Sequence, residues 1–309
     1  MAAIYKYCGK DTADKVFLDE HLSLKFSFLS EYNDPYEFFL TVDFDKSPDE
    51  LAYYLEMVNM QTSLLATCFS KTPINTPMWA HYGDNSEGFV IEIDEEALKN
   101  FLDELKIFSL LDDVSYKDTP DNGLEDLLKR AHQIGKPRYV DMLRRRLIGV
   151  AYFTKQTCWS YERERRLLLP PDIFDIDSSL KLFKFPMNVV TSIIVGNRAS
   201  DDLKNSLSEI ADLISVDYYE MKPSKIVSHP FFVCRDGHTY IFNETAIIEH
   251  NPYCEECNEP LSDYEDRCSW CSITDDDMAS AAMTNPFRML HRYGLLGGYL
   301  EATRRIHRK

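Results

Sequence analysis

The spacing of apolar positions divides the chain into alternating strands and helices. Apolar runs or strict alternation predict β-strands at residues 4–7, 22–27, 64–69, 88–93, 112–116, 189–196 and 214–220. Apolar positions that recur at helical spacing predict helices over residues 11–21, 48–61, 95–105, 124–133, 137–153 and 201–213. Strands and helices mixed in this way predict an α+β fold.

The pattern changes after residue 222. Apolar segments at 231–235 and 238–242 flank Asp236-Gly237, a pair that favours the two-residue turn of a β-hairpin. We therefore predict a domain boundary at residues 222–228.

That boundary gives three parts. They are a main domain over residues 1–222, a hairpin with a cysteine-rich module over 229–273, and a C-terminal tail over 274–309. The tail is rich in arginine, with aromatic and apolar residues between, and we expect it to be helical. Docking on the acidic main domain is the favoured role for the tail, and a surface for RNA or a partner is the alternative.

Composition places the chain among globular proteins. It has 309 residues, 44% of them hydrophobic, and a formal net charge of −17 at pH 7, so it can bury a core. No apolar run approaches the roughly 20 residues of a membrane helix, and the first residues lack the pattern of a secretory signal. We therefore expect a cytoplasmic protein with no membrane partner. The acidic balance argues against broad binding to nucleic acid, which needs clustered lysine and arginine.

Four of the eight cysteines form the most specific motif. Cys254 and Cys257 are separated by two residues, as are Cys268 and Cys271, and ten residues lie between the pairs. This spacing is typical of a zinc-ribbon-like site with four thiolates, which is structural because no coordination position stays open. Iron, redox-active pairs and disulfides are the alternatives, and a reducing compartment disfavours the last two. The acidic loop around the cysteines favours a protein partner for this module.

A charged segment at residues 159–166 leads into an apolar run. It places Glu162 and Glu164 two residues apart beside Trp159 and Tyr161. In an extended strand both carboxylates point to one face, and like charges on one face raise each other's proton affinity. Such pairs are typical of sites that move protons or stabilise a cationic transition state. The alternative is an edge strand with solvated charges, or a helical turn with Glu–Arg pairs.

Several motifs occur together in a fixed order. They are Tyr5-Lys6-Tyr7, Asn33-Asp34-Pro35-Tyr36-Glu37, Cys68-Phe69-Ser70, Met78-Trp79-Ala80-His81-Tyr82 followed by Gly88, and Lys155-x3-Trp159-x-Tyr161-Glu162-x-Glu164-x-Arg166. Over about residues 4–196, this order resembles the bacterial domain-of-unknown-function 2971 family. The family name itself carries no activity.

The same order is similar to that of ADP-ribosyltransferases. The resemblance implies a split mixed sheet with flanking helices, NAD as co-substrate, and Glu164 as the catalytic carboxylate. It also implies that Glu162 orients or deprotonates the acceptor and that Tyr82 stacks on nicotinamide. The residues that it places near NAD are Tyr5, Lys6, Asn33, Asp34, Ser70, Trp79 and His81.

The leading hypothesis is thus NAD-dependent ADP-ribosyl transfer to a macromolecule, protein or nucleic acid, in a bacterial toxin or phage-defence setting. Tyr5, Lys6 and Tyr7 stand where this fold has His or Arg. That departure supports an alternative, a non-catalytic module that binds a nucleotide or a protein and docks through its zinc ribbon. The enzyme requires one pocket lined by Glu164, Tyr82, Ser70 and either Tyr5 or Lys6.

Overall fold

The computed structural model describes residues 3–32, 34, 36, 42–60, 63–263 and 265–306. The chain divides into two compact units, Met1–Glu249 and His250–Lys309. The first unit contains a large mixed sheet with helices, so the predicted α+β class is confirmed.

The elements of the described residues are named in chain order. The strands are β1 (Ala3–Cys8), β2 (Phe17–Leu18), β3 (His21–Phe28), β4 (Leu65–Ser70), β5 (Phe89–Asp94), β6 (Leu110–Asp113), β7 (Ser115–Tyr116), β8 (Thr154–Lys155), β9 (Glu164–Leu169), β10 (Lys181–Pro186), β11 (Val190–Val195), β12 (Asp217–Pro223), β13 (Pro230–Cys234), β14 (Thr239–Phe242) and β15 (Ile247–Glu249). The helices are α1 (Ala13–Val16), α2 (Pro48–Asn59), α3 (Thr76–His81), α4 (Glu95–Glu104), α5 (Asn122–Ile134), α6 (Pro137–Tyr152), α7 (Asp201–Ile214), α8 (Asp275–Thr284), α9 (Pro286–Arg292) and α10 (Leu296–Ile306).

The main sheet is split next to β4. Its strand order is β10-β3-β4-β1-β5-β11-β12-β13-β14-β15, with β9 beside β4 and β6 beside β9. Strand β9 follows β4 from Leu65 to Ser70. A strand has two edges, so β3 and β1 must share the other edge of β4. Strand β3 pairs with β4 at Leu65 and Ala66, and β1 pairs with it at Ser70. The sheet therefore opens between β1 and β3, opposite the middle of β4.

Alternation along β5 supplies both faces of the sheet. Phe89, Ile91 and Ile93 lie in one apolar cluster with buried leucines of α4 and α7, and Val90 lies in a second cluster on the other face with Tyr5 of β1. Successive side chains of a strand point to opposite faces, so β5 packs into the apolar clusters on both faces of the sheet. This packing also positions its neighbour β1.

The predicted helix over residues 11–21 is wrong. Only Ala13–Val16 forms an α-helical turn, and Phe17–Leu18 pairs with β3 as a hairpin. Asp19 and Glu20 make the turn with φ values of 52° and 59°, the left-handed conformation that matches the twist of a two-residue hairpin. The apolar residues that suggested a helical face thus serve a strand, and Phe17 stacks near Phe89 in the core.

The hairpin predicted over residues 231–242 extends the main sheet. Strand β13 pairs with β12, and β14 and β15 continue the same sheet. Backbone hydrogen bonds therefore cross the predicted boundary at residues 222–228, and the compact units divide after Glu249 instead.

The second unit contains the cysteine-rich segment and helices α8, α9 and α10. Between residues 250 and 273, Tyr253 and Pro260 form an isolated bridge, and the described residues of this segment show no ribbon of strands. The tail predicted to be helical contains the three helices. No helix among the described residues of the chain has the length and apolarity to span a bilayer.

Candidate active site

The split in the sheet opens into a cavity of about 330 Å³. Its polar and charged lining residues are Lys6, Lys25, Ser27, Glu31, Thr67, Cys68, Ser70, Lys155, Glu162, Glu164 and Arg166. Its aromatic and apolar lining residues are Tyr5, Tyr7, Tyr32, Ala66, Phe69, Met78 and Tyr82. The cavity lies where β4 lacks a neighbour on one edge, so the topology of the sheet creates it.

Both glutamates of the predicted pair lie in this cavity. Only 4% of the surface of Glu162 and 3% of that of Glu164 is exposed, which excludes the alternative of solvated charges on an edge strand. The local structure differs from the predicted continuous strand. Glu162 ends a 3₁₀ turn, Arg163 has a φ of 45°, and β9 begins at Glu164. The left-handed Arg163 turns its own side chain to solvent while both carboxylates remain on the cavity side.

Two donors hold the carboxylate of Glu162. The Tyr82 hydroxyl donates to Oε1 at 2.7 Å, and the Lys155 ammonium donates to Oε2 at 2.7 Å. The Ser70 hydroxyl donates to the backbone carbonyl of Glu162 at 2.7 Å. Side chains from after α3, from β8 and from β4 thus fix this residue from three directions.

Glu164 has one paired oxygen and one open oxygen. Arg166, which is fully buried, donates from Nε to Oε1 at 2.7 Å and also donates to the Tyr152 carbonyl. Oε2 lies 3.5 Å from the Lys155 ammonium and accepts no hydrogen bond from the described residues. A buried carboxylate oxygen without a donor is costly, so this atom, which is itself almost fully covered, keeps unused capacity to accept a hydrogen bond.

The two carboxyls have opposite pKa shifts. Burial raises the pKa of Glu162 above its ordinary value, against the lowering effect of the Lys155 charge. Burial also opposes ionisation of Glu164, but the charge and hydrogen bond of Arg166 dominate and lower its pKa to about 2. The cavity therefore contains one carboxylate that stays ionised and one that takes up a proton more readily than an ordinary glutamate.

The side chains of Tyr5 and Lys6 on β1 already form hydrogen bonds with other residues of the protein. The Tyr5 hydroxyl donates to Glu92 at 3.0 Å. The Lys6 ammonium donates to the Thr67 hydroxyl and to the Cys68 carbonyl, both at 2.9 Å. Both residues line the cavity, and Lys6 bridges the split towards β4.

Two further residues expected near NAD, Trp79 and His81, lie outside the cavity lining. Trp79 is 1% exposed, donates to the Pro73 carbonyl and packs edge-on against Tyr7, so it is a core residue and not a stacking platform. His81 is exposed beside the Tyr161 hydroxyl.

The loop residue Asp34 takes part in a local turn instead. Asp34 accepts the backbone N–H of Tyr36, as in a local turn, and is absent from the cavity lining. Asn33 lies outside the described residues.

Sequence reasoning assigned no role to several cavity residues. Lys155 and Arg166 belong to the motif that ends in the glutamates, yet spacing alone gives no sign that Lys155 reaches both carboxylates from β8. Tyr32 and Cys68 meet at 3.4 Å in the cavity wall. Lys25 of β3 also lines the cavity, and no local pattern distinguishes it from other lysines on strands.

The second unit has a separate cluster of the four predicted cysteine ligands. The Sγ atoms of Cys254, Cys257, Cys268 and Cys271 all lie within 4.8 Å of one another, and all four thiols are free. The Cys271 amide donates to the Cys268 sulfur at 3.4 Å, which orients that sulfur. Four thiols this close can hold a metal ion, and sulfur ligands suit zinc or iron.

Comparison with known protein families finds a match for part of the chain. The model of the family described as "Protein of unknown function (DUF2971)" matches residues 78–167. The predicted resemblance to this family is confirmed. The match includes Tyr82, Lys155 and both cavity glutamates.

Two other comparisons add little. No curated protein sequence matches the chain significantly. A solved structure of DarT from Thermus sp. 2.9 in complex with ADP-ribosylated ssDNA is 11% identical, covering 69% of this chain and 89% of that chain with a TM-score of 0.30. A TM-score this low does not establish a shared fold.

Proposed function

We propose that the cavity binds NAD and transfers its ADP-ribosyl group to a macromolecular acceptor. The observation that carries this proposal is the pair of buried carboxylates whose pKa values are shifted in opposite directions, one of them with an oxygen that accepts no hydrogen bond from the described residues. The volume of about 330 Å³ lies at the lower end of the usual range for ligand pockets, which suits the nicotinamide riboside end of a dinucleotide.

Glu164 has the environment that the bond-breaking step requires. Cleavage of the bond between nicotinamide and ribose builds positive charge on the ribose carbon, and a fixed anion stabilises that charge. Arg166 keeps Glu164 ionised, and the open Oε2 can accept a hydrogen bond from a ribose hydroxyl. Electron density from the broken C–N bond leaves with neutral nicotinamide.

Glu162 has the environment for the second half of the reaction. Its raised pKa allows it to accept the proton of the attacking hydroxyl or amine as the acceptor bonds to the ribose carbon. Tyr82 holds one oxygen of this carboxylate, and its half-buried ring lines the cavity. This ring offers a flat apolar surface for nicotinamide.

One observation favours a second candidate, a module that binds a nucleotide without turnover. Tyr5 and Lys6 are engaged with Glu92, Thr67 and the Cys68 carbonyl, so the first strand offers no free His or Arg to the dinucleotide. In that case the cavity binds NAD or a related nucleotide but releases no nicotinamide.

Incubation with labelled NAD separates the two functions. Purified protein and a cell lysate are mixed with NAD labelled in the adenylate moiety, and released nicotinamide and labelled protein or nucleic acid are measured. We expect nicotinamide release with label on a macromolecule. Saturable binding without release would support the nucleotide-binding module, and the absence of both binding and release would contradict both functions.

We further propose that the four cysteines hold a structural zinc ion, which would stabilise a segment with few backbone pairs of its own. A toxin or phage-defence role, which the family resemblance implies, predicts that expression of the wild-type chain arrests bacterial growth and that expression of Glu164→Gln does not.

A further inference from the structure

Lys155 lies between the two carboxylates of the cavity. Its ammonium group is 2.7 Å from Glu162 Oε2 and 3.5 Å from Glu164 Oε2. Its side chain is 6% exposed, and the ammonium lies 4.5 Å from the centre of the Trp159 ring. The charge is therefore held at a fixed place, because backbone pairing of β8 with β7 anchors its Cα and the aromatic ring covers its side chain.

Glu162 depends on this lysine more than Glu164 does. Glu164 has Arg166 as a second cation at 2.7 Å. Among the described residues, Lys155 is the one cation within hydrogen-bonding distance of Glu162. The hydroxyl of Tyr82 is the other donor to this carboxylate.

The other groups that face Glu162 do not replace that charge. Glu164 on β9 repels it, and Tyr116 on β7 and Tyr161 in the turn before β9 present neutral phenols, since burial raises the pKa of both groups. Without Lys155, a buried carboxylate would lie beside a like charge with a phenol as its donor. Such a group takes up a proton and ceases to be a base.

We propose that Lys155 is a positioning residue that keeps Glu162 ionised and directed towards the acceptor, so that Glu162 can serve as the base of the transfer reaction. This inference rests on the proposed function. Burial opposes the charge of Lys155, but Glu164 and Glu162 raise its pKa, so the ammonium persists through the neutral range. Glu164 then supplies the negative charge for the bond-breaking step. Lys155 lies too far from Oε2 of Glu164 to make a close hydrogen bond with it.

The test compares pH profiles of nicotinamide release during transfer for the wild type, Lys155→Met and Lys155→Arg. Lys155→Gln is a further variant if the methionine variant does not fold. Lys204→Met is the matched control, because that lysine of α7 pairs with Glu220 of β12 and does not line the cavity. We expect the acidic limb of kcat/KM to move up by about 1 to 3 pH units in Lys155→Met, to return largely in Lys155→Arg and to stay in place in Lys204→Met.

A second measurement does not depend on activity. Carbon-13 spectra of glutamate carboxyls, with the Glu162 signal assigned through Glu162→Gln, give the titration midpoint of Glu162 directly. We expect this midpoint to rise by the same interval in Lys155→Met. An unchanged midpoint, or activity lowered equally at every pH, would overturn the role of Lys155. Lack of nicotinamide release by the wild type would instead contradict the proposed function, and the titration would still decide the inference.

Discussion

Single residues give the two carboxyl groups of the cavity different roles. Glu164 stays ionised, and Glu162 takes up a proton more readily. Arg166 accounts for the first, since it is buried and bonds Glu164 directly. Burial accounts for the second, since it raises the pKa of Glu162 against the lowering effects of the Lys155 charge and the Tyr82 hydrogen bond. A site with identical neighbours around both glutamates would have one shared proton and no division of roles.

Lys25 provides a prediction for the other end of the ligand. It lines the cavity from β3, is exposed, and has no ion pair with any residue that the structure describes. An unpaired ammonium at the mouth of a cavity favours an anion, and the diphosphate of NAD supplies one. We expect Lys25→Met to raise the KM for NAD by about 10-fold with little change in kcat, in steady-state assays of nicotinamide release.

Two variants make that measurement specific. Lys25→Arg retains the charge and should keep most of the affinity, and Lys129→Met removes an exposed lysine from α5 and should change nothing. An unaltered KM in Lys25→Met would show that the diphosphate does not bind at this side of the cavity.

At the level of elements, hydrophobic spacing predicted most strands and helices because each has one face in the core. The cap of α4 is an example: Asp94 ends β5 and accepts the backbone N–H groups of Glu96 and Ala97, as its position before a helical pattern indicates. The spacing failed at residues 17–20, where a two-residue turn with positive φ makes a hairpin. A local pattern does not show which distant strand will pair with a segment.

The limits of a local pattern also explain which features of the site could be predicted from the sequence. The glutamates were identified because two carboxylates beside aromatic residues are unusual at the start of a strand. Their environment could not be predicted, because Lys155 and Tyr82 reach Glu162 from elements that only the fold brings together. Trp79 was misplaced because helical spacing does not show which side of α3 faces the core.

Helix α5 provides a prediction on acid stability. Asp121 precedes it, accepts the Leu124 N–H at 2.8 Å and pairs with Lys117 and Arg146 at 2.8 Å each. Burial opposes ionisation, but the two cations and the backbone donor lower the pKa of Asp121 to about 2. Because an unfolded aspartate has a pKa of about 3.9, this stabilisation is complete above that value and is lost as pH falls towards 2.

Two substitutions separate the charge from the cap. Asp121→Asn retains an N-cap acceptor and loses the charge, so its free energy of unfolding should fall less than that of the wild type between about pH 4 and pH 2. Asp121→Ala should lose about 1 kcal/mol more at neutral pH, because the cap is also removed. Urea unfolding across this pH range measures both effects, and equal pH dependence in the wild type and Asp121→Asn would contradict the assignment.

For the whole molecule, the two compact units have separate chemistry, and the second provides a prediction on metal content. We expect elemental analysis of the purified chain to find close to one zinc ion per molecule, as in closed four-thiolate sites. Cys268→Ser should lose the metal because three thiolates leave the site open, and Cys158→Ser, at an exposed cysteine outside the cluster, should retain it. Iron in place of zinc, or full zinc content in Cys268→Ser, would contradict this site.

The central claim is that Glu164 stabilises the positive charge that forms when nicotinamide leaves. Its most direct test is the kcat of nicotinamide release by the wild type, by Glu164→Gln, and by Glu87→Gln, a surface control that pairs with Lys10. Glutamine keeps the shape and removes the charge, so kcat should fall by about 100-fold or more while the KM for NAD changes little. Glu87→Gln should match the wild type. Full turnover by Glu164→Gln would contradict the claim.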